Sequence, residues 1–176
     1  MMECKKALTE CNGDIAEAEK LLKEKGLAAV AKRSERATSE GRLFVRQVGN
    51  KIALVEVTCE TDFVANNSDF VAAGEKMLDV TFEKGYTKVE AEHEAILEPL
   101  KVSIRENMKI AKVEVVEIPA DAVGAFYVHS DKKTGAIVVV KGSTADVVKT
   151  FAYDCCLHIA AFTPAYISKK DEPDTC

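Results

Sequence analysis

Cys155-Cys156-Leu157-His158 is the stretch best equipped for covalent chemistry, because a thiol activated by an imidazole is a strong nucleophile. Its neighbours argue against that use. On a helix Cys155 and His158 share a face, and Phe151, Ile159 and Phe162 mark the segment as the apolar side of a packed helix, where cysteine serves as a small core residue. A second arrangement is Glu60-Thr61-Asp62-Phe63-Val64, in which a carboxylate and a large aromatic leave a strand together, ahead of a helix whose pattern begins at Ser68. One reading has Asp62 or Phe63 projecting from the tip of this loop. The other has Asp62 capping a turn while Phe63 tucks beneath it as a core anchor, and the residue types alone leave both open. The turn from His129 to Thr134 is the third stretch to watch.

Other chemistries lack their residues. The six cysteines, Cys4, Cys11, Cys59, Cys155, Cys156 and Cys176, contain no C-x-x-C pair, and His93, His129 and His158 lack partners at zinc-binding spacing, so no metal is expected. Neither G-x-x-x-x-G-K-[ST] nor G-x-G-x-x-G occurs, which removes the usual backbone cradle for phosphates; no nucleotide or other cofactor is expected on this chain. With 24 basic against 29 acidic residues in mixed order, the net charge of -5 offers no footprint for direct nucleic-acid binding. Ala136 to Val140, the longest strand-like apolar run, falls far below the roughly 18 residues of a membrane span. The polar start shows no secretory leader, so free thiols in a reducing cytosol are expected, and Asn66-Asn67-Ser68 reads as a helix cap rather than a glycosylation site.

The elements that must position these residues follow from periodicity. Cys4, Ala7, Leu8 and Cys11 make one helical stripe and Ile15, Ala18 and Leu22 another, divided at Asn12-Gly13. Asp14 caps the second helix with Glu17 three residues on, and Gly26 is expected to end it. Two helices this short cannot bury both stripes, which implies a further helix before Met1; Leu27 to Ala37 reads as a solvated helical linker. At Gly41 the period becomes about two: Leu43 and Val45, then Ile52, Leu54 and Val57, flank the hairpin pair Gly49-Asn50. A helix follows from Ser68 to Gly85, then a charged helical stretch with a kink or break at Pro99, then a strand from Ile110 to Ile118. Gly124 to Val128, Ala136 to Val140 and Val147 to Phe162 repeat the plan. The expected class is α+β: a helical module and linker over residues 1–38, then duplicated antiparallel strand-strand-helix halves over 39–118 and 119–176, the second incomplete.

Glu56-Val-Thr-Cys-Glu-Thr-Asp-Phe-Val-Ala-Asn66 resembles the signature of the translation elongation factor Ts family. Met2 through Leu8 with Asn12-Gly13-Asp14 resembles that family's N-terminal module, which is similar to ubiquitin-associated domains. Ile104-Arg-Glu-Asn-Met-Lys-Ile110, Gly124 through His129 and His158 through Pro164 fit further family segments in order. Thr58 stands where the family more often has Asn, and the longer members' helical hairpin is absent. The resemblance implies a guanine-nucleotide exchange factor for elongation factor Tu, promoting GDP release without catalysing a covalent reaction. It further implies that Asp62 and Phe63 enter the partner beside its Mg²⁺ site, that His129 makes a second contact, and that Met1 and Met2 help clamp a partner helix. The cytoplasm or an organellar matrix is the implied location. Two other classes compete: a thiol-dependent enzyme using Cys155 or Cys156 with His158, and a plain helical interaction module. Self-association through the incomplete second half stays open.

Overall fold

Asp14 does what its type and position dictate: its carboxylate accepts the Glu17 N–H at 3.0 Å and starts a helix. The computed structural model describes residues 2–166 and 168–171, so Met1 and Cys176 lie outside the described residues. Helix α1 (Met2–Glu10) packs on α2 (Ile15–Arg33) through Ala7 and Ala18, while Leu8 and Ile15, expected in the stripes, are exposed. Gly26 does not end α2. The helix runs through it to Arg33 because a later helix, which carries Val102, crosses there: a Cβ on Gly26 would sit 3.0 Å from Val102 Cγ1. Leu27, Ala29 and Val30 are half-buried, and Arg33 donates to the Lys101 carbonyl at 2.9 Å. The expected linker is thus helical as far as Arg33 as a continuation of α2, half-buried at these four residues and exposed at the rest.

Strands β1 (Glu40–Val48) and β2 (Lys51–Cys59) form the expected hairpin, with Gly49 in the left-handed region at φ 58°. Beyond β2 come α3 (Asp62–Ala65), α4 (Ser68–Lys84), which Gly85 ends at φ 69°, and α5 (Ala91–Ile104). Strand β3 (Met108–Glu117) completes an antiparallel sheet in the order β1-β2-β3. Pro99 does not break α5: Leu97 is fully buried and Ile96, Leu100 and Ile104 pack on the same core, holding the helix on both sides of the missing N–H.

The middle strand β2 is covered on both faces, so Ile52 and Val57 of the expected set fall on opposite sides. Phe44, Ala53, Val55, Val57 and Cys59 belong to the core under the helices, and a Cβ on Gly74 of α4 would overlap the Phe44 ring. Val45 and Ile52 belong to the opposite face. There they meet a second sheet, the antiparallel hairpin of β4 (Ala122–Val128) and β5 (Gly135–Lys141), through Ile118, Ala122, Phe126, Ile137 and Val139. Gly124 admits this approach, since a Cβ on it would overlap Ile118. Helix α6 (Asp146–Phe162) covers the outer face of the hairpin. The fold is α+β with antiparallel strand pairs, two sheets back to back between helices.

Helix α6 departs from expectation. Its packed side is Ala152 and Cys156, whereas Phe151 is 58% and Phe162 69% exposed, and Ile159 is also exposed. A two-stranded hairpin is narrow, so small residues occupy its line of contact and the bulky ones fall on the far side. Among the described residues, no helix is long and apolar enough to cross a membrane.

Candidate functional site

At the end of β2 the chain dives into the core. Cys59 is fully buried, and its thiol donates to the Thr61 carbonyl at 3.1 Å; burial pushes that thiol up to about 11. Thr61 is the N-cap of α3, its hydroxyl oxygen accepting the Val64 N–H at 3.4 Å. A short helix, α3, thus precedes the expected one at Ser68, and Asp62 and Phe63 stand on a helical turn instead of a loop tip. Val64 and Ala65 form its inner side, at 7% and 6% exposure, while Phe63 is 85% exposed beside the exposed Asp62. The core-anchor role falls to Val64, and Phe63 projects. Asn67 caps the next helix, accepting from the Asp69 and Phe70 N–H groups at 2.9 and 3.4 Å.

Two residues missed in the sequence hold this turn from outside. Glu106 Oε2 accepts the Glu60 and Thr61 N–H groups, both at 3.1 Å, and its Oε1 accepts the Thr61 hydroxyl at 2.7 Å. Asn107, 6% exposed, donates its N–H to Glu60 Oε1 at 2.7 Å and its side-chain amide to the Ser34 and Arg36 carbonyls at 3.1 and 2.6 Å. The available signal was a Glu-Asn pair between a helical pattern and a strand, since a polar side chain entering a core there needs backbone partners.

His129 opens the turn between β4 and β5. It is exposed, its N–H donates to the Thr134 carbonyl at 2.8 Å, and its Nδ1 lies 2.9 Å from the Tyr127 hydroxyl. Asp131 organises the turn: its carboxyl, held low by the backbone N–H groups of Thr134 and Lys133, also accepts the Thr134 hydroxyl at 2.9 Å. Two residues on, the turn reaches toward the first site. Lys133 binds Glu40 at 2.9 Å, its ammonium favoured first by Glu40 and more weakly by Asp62, and Glu40 pairs across the sheet with Cys59. In addition, Leu43 donates its N–H to the Lys132 carbonyl at 2.7 Å. The structure thus brings the His129 turn to the end of β2 from which Asp62 and Phe63 project. Met2, 70% exposed, belongs to α1, and Met1 lies outside the described residues.

Of the two thiols, Cys156 lies away from the imidazole, while Cys155 keeps to the His158 side of the helix. Cys156 is buried with its sulfur 3.5 Å from the Ala125 carbonyl, and burial raises its pKa. His158, two residues on and so about 200° around the helix, is exposed with its ring 4.6 Å from that of Phe162. Cys155 is half-buried between them. His93 is a core residue: Nδ1 accepts the Glu90 N–H at 3.0 Å, which leaves the proton on Nε2, 3.0 Å from the Thr81 hydroxyl. Among the described residues, no group of three or more His, Cys, Asp and Glu side chains is placed to hold a metal ion.

An exposed ring and carboxylate on a braced helical turn can enter a partner's cleft and compete for its contacts. Residues 60–176 match the profile of the family described as Elongation factor TS. Among curated proteins, the Elongation factor Ts of Treponema denticola is 50% identical over 176 residues, covering 97% of this chain and 63% of that protein. The Elongation factor Ts of Treponema pallidum (strain Nichols) is 41% identical over 189 residues, covering 98% and 65% respectively. That of Borreliella burgdorferi is 36% identical over 175 residues, covering 96% and 63%. The chain thus spans under two thirds of the length of these relatives.

Proposed function

Because the chain belongs to the elongation factor Ts family, we propose that it is a guanine-nucleotide exchange factor that binds elongation factor Tu–GDP and promotes GDP release during translation elongation. The observation that carries this reading is Phe63, 85% exposed on a turn whose other side is buried. A large aromatic kept in solvent is a cost to the free chain that a partner can remove. Exchange then follows from linkage: whatever factor the chain takes from nucleotide affinity, nucleotide takes from the affinity of the chain.

In this reading Phe63 wedges into the nucleotide domain of the partner, and Asp62 competes for polar groups that organise its Mg²⁺. His129 adds a second contact from the neighbouring turn. Residues 1–38 dock separately through α1 and its exposed Met2, with 39–118 and 119–176 as the two core halves. No bond is made or broken by this chain, so it works as a binding protein instead of an enzyme, holds no cofactor and needs no direct nucleic-acid contact. The cytoplasm, where translation runs, is its place of action.

The test is release of fluorescently labelled GDP from elongation factor Tu, with and without the chain. Release should accelerate with chain concentration to a plateau. An unchanged rate in the presence of a large excess of folded chain would refute the reading.

A further inference from the structure

A four-residue helix cannot hold its own direction in water, because nucleation costs more than one turn returns. Burial of Val64 and Ala65 pins the inner side of α3 but leaves its tilt to whatever fixes its N-terminal end. There the Glu60 and Thr61 N–H groups need acceptors, and Glu106, 45 residues from Thr61 along the chain, supplies them together with a bond to the Thr61 hydroxyl. A single carboxylate bonded at three points fixes position and rotation, as one bond would not.

Glu106 is itself braced. Arg105 before it takes the left-handed conformation at φ 64° and turns the chain away from α5. Asn107 after it is tied to Glu60, Ser34 and Arg36, and Met108 is fully buried at the start of β3. We propose that Glu106 is a positioning residue for the exchange site, setting the direction in which α3 presents Asp62 and Phe63. This rests on the exchange reading given above. Glu106 touches the partner in no step; it acts through Thr61 and the backbone of the turn.

The experiment measures labelled GDP release from elongation factor Tu against concentration of the full chain, for Glu106→Ala, Glu106→Gln and Phe63→Ala. Glu106→Ala should lower the plateau rate about tenfold while moving the half-saturating concentration less than about threefold, since the docking surfaces persist and only the wedge is misdirected. Glu106→Gln keeps an oxygen for both backbone N–H groups and an amide for Thr61 Oγ1, and should recover to within about twofold. Should Glu106→Ala fail to fold, Thr61→Val removes one of the three Glu106 bonds together with the cap on the Val64 N–H and should lower the plateau about threefold. A wild-type plateau for Glu106→Ala, or for Thr61→Val in its place, beside a slow Phe63→Ala overturns the positioning role and leaves the exchange reading standing. Glu106→Gln as slow as Glu106→Ala overturns it too, because geometry is then not what matters. A wild-type rate for Phe63→Ala sinks the exchange reading and this inference with it.

Discussion

Replacing Phe63 with Ala separates what this chain needs for folding from what it uses on a partner. The ring is 85% exposed in the free chain, so its removal should change stability by no more than about 0.5 kcal/mol. Burying a Phe is worth about 1.5–3 kcal/mol, and the 85% still available for burial corresponds to about 1.3–2.6 kcal/mol, or about tenfold to eightyfold in complex stability. The assay is labelled GDP release from elongation factor Tu as a function of chain concentration, beside a thermal melt of the chain alone. Asp62→Ala should act in the same direction, and the double variant should show coupling above about 0.5 kcal/mol, because ring and carboxylate share one turn. His129→Ala should also slow release, without coupling to Phe63. A melt lowered by several degrees together with undisturbed release would refute the reasoning, since Phe63 would then serve the fold and not a partner.

Gly74→Ala should destabilise the chain by about 1–3 kcal/mol in denaturant unfolding, because its methyl would overlap the Phe44 ring in a filled core. Iodoacetamide at pH 8 should label Cys4 quickly and leave Cys59 and Cys156 slow, both being buried and Cys59 titrating only near 11. His93 is held neutral by burial, which lowers its folded pKa below 6.5 against the opposing pull of Glu90, Glu92 and Glu94. The unfolded chain then takes up the proton first as pH falls, so this part of the stability is present above about 6.5 and is lost between there and the folded value. Thermal midpoints measured across that window should fall with pH, and His93→Gln should flatten the slope.

How much could be read without the fold depends on the range of the forces involved. The Asp14 cap, the Gly49-Asn50 hairpin and the end of α4 at Gly85 were all legible, because each is settled among residues within four positions of one another. Gly26 was misread as a stop, since its true neighbour is Val102 on a helix far along the chain. The same distance hid Glu106: nothing near Thr61 announces that a carboxylate 45 residues away will satisfy its N–H and fix a short α3 ahead of the helix at Ser68.

By itself the sequence determined the α+β class, the antiparallel hairpins, the caps and the pairing of a carboxylate with an aromatic at Asp62-Phe63. These rest on periodicity, turn chemistry and residue type, which act locally. Only the tertiary structure decided which faces are inside. Phe44 goes under the helices while Val45 meets the second sheet, and α6 turns Ala152 and Cys156 inward and leaves Phe151 and Phe162 out. It also decided that Phe63 projects while Val64 anchors. The reason is that burial is a property of stacked layers: a strand apolar on both sides, or a helix apolar on two faces, takes its orientation from the partners that cover it, and those partners come from elsewhere in the chain.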